Sequence, residues 1–161
     1  MHENRILIHK LKNFENINSN FLIITLMLFG SILLAISAKV QVPFWPVPMT
    51  MQTFVIFLIG MTYSVRLSFA TVAFYLFQGA IGLPVFAAGG GVAYLVGPTA
   101  GYLYGMLFAS IVISYLANLG FSKTYFKATL SLLIGSTIIF LFGIIYLGYI
   151  IGFEKAVAAG L

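Results

Sequence analysis

The sequence has neither cysteine nor aspartate, and it has few charges of either sign. Without cysteine, these 161 residues cannot form a disulfide, a thiol nucleophile or a thiolate metal site. All three carboxylates are glutamates, Glu3, Glu15 and Glu154, and each lies in a terminal segment. A paired-carboxylate or metal-carboxylate active site therefore cannot form within the apolar body of the chain.

Motifs for catalysis and nucleotide binding are missing too. His2 and His9 lie in the N-terminal segment with no thiol nearby, which is a poor basis for a metal site or a general base. Lys123-Thr124 resembles the end of a phosphate-binding loop, but Ser122 stands where that motif requires glycine, and no strand precedes it. No serine is combined with a histidine and a carboxylate, as hydrolases require. We therefore expect a protein that is not an enzyme and that has no cofactor or metal.

Apolar residues take the place of the missing charges. They make up 61% of the chain and charged residues only 7%, against about 45–50% and about 25% in soluble globular proteins. The net charge of +5 comes from widely separated positions along apolar sequence, so nucleic acid is not an expected partner. The composition predicts an all-α integral membrane protein, a helical bundle within the lipid bilayer.

Five uncharged apolar runs are candidates for helices that cross the membrane, which takes about 20 residues. They are residues 21–38, 49–65, 67–82, 99–118 and 128–151. Residues 1–20 are expected to be a cytoplasmic tail, and 21–161 the membrane domain. A cleaved signal peptide is less consistent with the sequence, because the first apolar run exceeds the usual hydrophobic core of about 7–15 residues.

The distribution of basic residues predicts the orientation. Lysine and arginine are retained on the cytoplasmic side, and a cytoplasmic N-terminus places six of them inside and two outside. The inner ones are Arg5, Lys10, Lys12, Arg66, Lys123 and Lys127, and the outer ones are Lys39 and Lys155. Five helices would then leave the last residues outside.

Small residues recur about one helical turn apart in three of the runs, which is typical of closely packed membrane helices. They are Gly101, Gly105 and Ala109; Ser131 and Gly135, then Gly148 and Gly152; and Ser31, Ala35 and Ala38. Packing between helices of this chain is one interpretation, and a face for a partner protein is the other.

Two irregular segments are too apolar to be ordinary solvated loops. Residues 39–49 include three prolines, and residues 83–98 include two prolines and three successive glycines, which disfavour a regular helix. Their aromatic residues are Phe44, Trp45, Phe86 and Tyr94. These side chains either belong to the aromatic belt at the membrane interface or form the walls of an apolar ligand pocket at the mouth of the bundle.

Three motifs in these regions carry a family resemblance. Residues 46–53 read PVPMTMQT, residues 79–86 read GAIGLPVF, and residues 97–103 read GPTAGYL. In this order they resemble the PVP-x-T-x-QT, G-x-x-GLPVF and GPT-x-GYL motifs of the BioY family, the biotin-specific substrate-binding subunits of energy-coupling factor transporters. The resemblance covers about residues 21–161.

The resemblance implies six helices, of which five are visible here. In the family, the last helix begins with a motif containing Pro-Phe, Gly-Asp and a lysine, and its Asp and Lys are implicated in biotin binding. This sequence ends just before that motif, so we expect it to be C-terminally incomplete.

The resemblance also implies a function, which is to capture biotin under the outer loops in a bacterial inner membrane. The candidate substrate-binding residues are Phe44, Trp45, Thr50, Gln52, Phe86, Tyr94 and Tyr102. The candidate loop-shaping residues are Pro46, Pro48, Pro84, Gly89, Gly90, Gly91, Gly97 and Pro98. The implied protein partners are a transmembrane coupling subunit, facing Ser31, Ala35 and Ala38, and cytoplasmic ATPases. The alternatives are a binding subunit for another vitamin, such as thiamin or riboflavin, and a structural membrane subunit.

Overall fold

The computed structural model describes residues 19–160. His2, His9, Glu3, Glu15 and almost all of the predicted cytoplasmic tail lie outside the described residues. Within them the helices are α1 (Ser19–Lys39), α2 (Gln52–Thr62), α3 (Val65–Ala80), α4 (Val92–Leu95), α5 (Ala100–Asn118), α6 (Tyr125–Ile151) and α7 (Phe153–Gly160). A two-stranded antiparallel hairpin, β1 (Gln41–Val42) and β2 (Met49–Thr50), adds a small β element to the predicted all-α fold. A 3-10 helix covers Phe121–Lys123.

Three helices of the described part, α1, α5 and α6, are long and apolar enough to cross a membrane. The predicted run 49–65 is helical only over the 11 residues of α2, because β2 occupies its first residues and the backbone is extended at Tyr63. Eleven helical residues span only about 16 Å, and the 16 residues of α3 about 24 Å. Five membrane-crossing helices therefore remain a prediction.

The helices run back and forth, so both irregular segments meet at one end of the bundle. Residues 40–51 connect α1 to α2, and residues 81–99 connect α3 to α5 and include α4. We call this the loop end. The opposite end carries the exposed basic residues Arg66, Lys123 and Lys127. Between the two ends, the core includes Leu34, Ile56, Val72 and Ile113.

The small residues of α5 and α6 bring these two helices into close contact, which confirms their predicted packing within the chain. A Cβ atom at Gly105 would lie 2.9 Å from Ile139 Cα and 3.0 Å from Ile139 O. Ala109 and Ser131 are fully buried, and a Cβ at Gly135 would meet the side chain of Ile113. Close backbone contact of this kind stabilises helix pairs in lipid, where hydrophobic exclusion does not act.

The small residues of α1 also face the chain's own helices, which corrects their predicted role as a partner face. Ser31 and Ala38 are buried, and the Ser31 hydroxyl donates a hydrogen bond to Oε1 of Gln78 in α3. Ala35 is half-buried and packs against the core. The reason is that Gly30 and Ser31 let α1 approach α3 closely. The exposed side of α1 instead carries large apolar residues: Phe21, Ile24, Phe29, Ile32 and Ile36.

The contact at Gly105 yields a stability prediction. Gly105→Val places its side chain against the backbone of Ile139, which cannot rotate away as a side chain could. We expect the free energy of unfolding to fall by roughly 1–3 kcal/mol. Unfolding of the purified protein in mixed detergent measures this. Thr137→Val introduces the same residue at an exposed position of α6 and serves as control. Equal stability of both variants would contradict the packing described.

Candidate functional site

A cavity of about 1020 Å³ opens at the loop end. Three groups of residues line it. The hairpin region contributes residues 44–50 with Gln52 and Thr53, the 81–99 segment contributes Ala87, Tyr94 and Thr99, and the helices contribute Tyr102, Leu103, Met106, Ile139, Phe140, Ile151 and Lys155. The lining is mostly aromatic and aliphatic with a few polar groups, which is the usual composition of a small-molecule site.

The hairpin forms a rim of aromatic side chains over the cavity. Pairing of Gln41 with Thr50 and of Val42 with Met49 leaves residues 43–48 as the connecting turn. Phe44 and Trp45 lie in this turn and line the cavity, and Trp45 is 89% exposed. An exposed ring at a cavity rim has the freedom to cover a flat ligand. Pro46 and Pro48, predicted only to shape the loop, also line the cavity.

A chain of hydrogen bonds fixes the polar part of the lining. Gln52, only 4% exposed, donates from Nε2 to the hydroxyl of Tyr75 (2.7 Å), which donates to the Val85 carbonyl (3.0 Å). The Thr50 hydroxyl donates to Oε1 of Gln52 (3.0 Å). A primary amide has two donor hydrogens and two acceptor lone pairs. Gln52 can therefore hold these contacts and still present one donor and one acceptor to a ligand.

Phe86 does not line the cavity, which corrects its predicted role as a wall. Its ring is fully buried over Gly79, edge-on to Tyr75 at 5.4 Å between ring centroids and stacked on Tyr94 at 4.9 Å. A Cβ at Gly79 would overlap the Phe86 ring. Phe86 thus supports Tyr94, and Tyr94 is the side chain that reaches the cavity.

Residues 81–99 are tethered to the helices through their backbone carbonyls. The bonds are Lys39 Nζ to Phe86 O (2.7 Å), Tyr104 OH to Leu95 O (2.9 Å) and Tyr146 OH to Val96 O (3.2 Å). Irregular backbone near the membrane requires such partners, because lipid supplies none. No local sequence pattern identifies these three donors, because their acceptors are determined by how the helices pack against the segment.

The predicted loop-shaping residues are under different local constraints. Gly89 and Gly91 have positive φ angles of 133° and 102°, which glycine adopts without strain. A Cβ at Gly90 would overlap the Leu83 carbonyl. A Cβ at Gly97 would make only ordinary van der Waals contacts. Pro84, Gly97 and Pro98 lie in the same segment but do not line the cavity.

The structure therefore brings six of the seven predicted binding residues to one cavity, namely Phe44, Trp45, Thr50, Gln52, Tyr94 and Tyr102. Apart from Tyr102 in α5, sequence reasoning missed the residues that α5, α6 and α7 contribute. Met106, Ile139 and Phe140 look like ordinary apolar helix residues in the sequence. Lys155 follows the last apolar run in an EKA sequence that resembles the family's, but nothing in the sequence assigns it a place at the cavity.

Comparison with known proteins gives a consistent result. A family model described as the BioY family matches residues 10–161. The "Probable biotin transporter BioY" of Rickettsia prowazekii is 35% identical over 144 residues, covering 89% of this chain and 74% of that protein. The "Biotin transporter BioY" of Thermotoga maritima is 38% identical over 130 residues, covering 80% of this chain and 76% of that protein.

A solved structure shares the fold. The crystal structure of an S-component for biotin from an ECF-type ABC transporter superposes with a TM-score of 0.78 at 24% identity, covering 91% of this chain and 82% of that chain. Together with the three long apolar helices, these matches identify a multi-pass membrane protein. The chain belongs to the BioY family.

Proposed function

We propose that this chain is the substrate-binding membrane subunit of a biotin uptake transporter, and that biotin occupies the cavity at the loop end. The cavity is the observation that carries the proposal, because its lining matches the ligand. Biotin has an apolar bicyclic ring and an aliphatic chain, with a ureido group at one end and a carboxylate at the other. A mostly apolar cavity with a few fixed polar groups suits such a molecule.

The chemistry of the lining residues suggests which of them contact each part of the ligand. The rings of Phe44, Trp45 and Tyr94 cover the bicyclic ring and the aliphatic chain. The Gln52 carboxamide, oriented by Thr50 and Tyr75, provides a donor and an acceptor for the ureido group. The volume of about 1020 Å³ lies at the upper end of small-molecule sites, about 300–1,000 Å³, so the cavity includes an open mouth as well as the ligand volume.

The membrane arrangement belongs to the same proposal. The chain is divided into a cytoplasmic tail, residues 1–20, and a membrane domain, residues 21–161, of a bacterial inner membrane. The short helices α2 and α3 join the three long ones as membrane-embedded helices, five in all. The basic residues at the end opposite the loops favour the cytoplasmic side for that end, which supports an outward-facing cavity where extracellular ligand arrives.

Energy for concentrative uptake comes from other polypeptides in this proposal. The 161 residues contain no nucleotide-binding motif. A transmembrane coupling subunit and cytoplasmic ATPases supply this function. Because Ser31 and Ala38 are buried in the chain, a contact through α1 would use its exposed apolar residues.

Equilibrium binding of labelled biotin to membranes that contain the expressed protein tests the proposal. We expect saturable binding at sub-micromolar ligand, which membranes without the protein lack. Unlabelled biotin should compete, and thiamin and riboflavin should not. Displacement by thiamin or riboflavin would indicate a different vitamin, and absence of saturation with all three would contradict a vitamin-binding function.

A further inference from the structure

Among the described residues that line the cavity, one side chain is charged, that of Lys155 in α7. Gly152, with a φ of 90°, ends α6 and redirects the chain into α7. Ala156 is fully buried, and Phe153 lies against Gly148 of α6. These contacts dock α7 beside the cavity, so the position of Lys155 follows from the packing of its own helix.

The other charged groups at the loop end do not share this position. Glu154 precedes Lys155 by one residue, which places it about 100° around the helix, and it is not part of the lining. Lys39 is also outside the lining, and its ammonium group donates to the Phe86 carbonyl. Among the described lining residues, the charge facing the cavity is therefore a single positive one.

We propose that Lys155 binds the carboxylate of the ligand and makes the cavity selective for anionic over neutral ligands. This rests on the proposed function, since biotin carries one carboxylate at the end of its aliphatic chain. An ammonium group has three donor hydrogens and attracts a carboxylate more strongly beside apolar walls than in open water. With Gln52 at the ureido end, the ligand would be held at both ends.

The expected effect is moderate because Lys155 is itself exposed. Exposed ion pairs contribute little, whereas hydrogen bonds to charged groups contribute more, so we expect Lys155→Met to weaken biotin binding roughly tenfold. The contribution should decrease as salt concentration rises, because salt screens exposed charges.

The test compares biotin with biotinamide, in which a neutral carboxamide replaces the carboxylate. Binding of both is measured to the wild type, Lys155→Met, Lys155→Arg and the control Lys123→Met at the opposite end of the bundle. We expect Lys155→Met to lose affinity for biotin and keep that for biotinamide. Lys155→Arg should retain the wild-type preference, and Lys123→Met, which removes the same net charge, should change neither affinity.

Two results would overturn the proposal. Unchanged biotin binding by Lys155→Met would show that the ammonium group makes no contact with the carboxylate. Equal losses for both ligands would indicate a packing role for α7. Failure of the wild type to bind biotin would instead contradict the proposed function. The role of Lys155 and the proposed function are therefore tested by different measurements.

Discussion

Phe86→Ala is expected to lower the free energy of unfolding by about 3–5 kcal/mol and to abolish measurable ligand binding. The ring is fully buried between Tyr75 and Tyr94 and over Gly79, so its removal leaves a cavity that these three residues border. Tyr94 then loses the surface on which it stacks, and one wall of the ligand cavity loses its position. Detergent-induced unfolding and labelled-biotin binding measure the two effects.

Phe77→Ala provides the matched control. Phe77 lies in α3 two residues before Gly79, but its side chain is 60% exposed. The same deletion there creates no internal cavity and should change stability by about 1 kcal/mol or less. If Phe86→Ala and Phe77→Ala behaved alike, the support of Tyr94 by Phe86 would be refuted.

Gln52→Leu is expected to reduce biotin affinity by about a hundredfold and stability by roughly 1–3 kcal/mol. Leucine has a similar size but cannot bond to Thr50, Tyr75 or the ureido group. The buried Tyr75 hydroxyl also loses one of its two partners. Binding isotherms and unfolding of the same preparation separate the two quantities.

Two further variants distinguish ligand contact from structural support at Gln52. Gln41→Leu makes the same change at an exposed hairpin residue, whose weak 3.4 Å bond to the Ala87 carbonyl should cost little. Tyr75→Phe breaks the hydrogen-bond chain at a residue outside the cavity lining, so it should affect stability more than affinity. An affinity loss in Gln52→Leu no larger than in Tyr75→Phe would argue against direct contact with the ligand.

The sequence predicted the features that depend on local composition. Apolar runs located α1, α5 and α6, and the four-residue spacing of Gly101, Gly105 and Ala109 indicated close contact with a neighbouring helix, which the structure shows to be α6. These signals work because membrane burial and helix periodicity act on neighbouring residues of one segment. The same local reasoning located both irregular segments, but it left open whether their aromatic residues form an interfacial belt or the wall of a ligand pocket.

Local sequence reasoning could not predict the features that depend on residues distant in the sequence. Nothing local distinguishes Phe86, which is buried, from Trp45, which is exposed. Tyr146 and Val96 are 50 residues apart, so their bond follows only from how α6 packs. For α1, the small residues indicated a face for close packing, but only the position of α3 decided that Ser31 packs within the chain rather than against a partner protein.

The tethers of the 81–99 segment use the carbonyls of Phe86, Leu95 and Val96 rather than their side chains. Every amino acid offers that carbonyl, so residue identity at Leu95 and Val96 is not fixed by the bonds that hold the segment. The Val96 side chain is exposed. Substitutions at Val96 can therefore leave its bond from Tyr146 in place, so the support of the segment beside the cavity tolerates sequence change at that position.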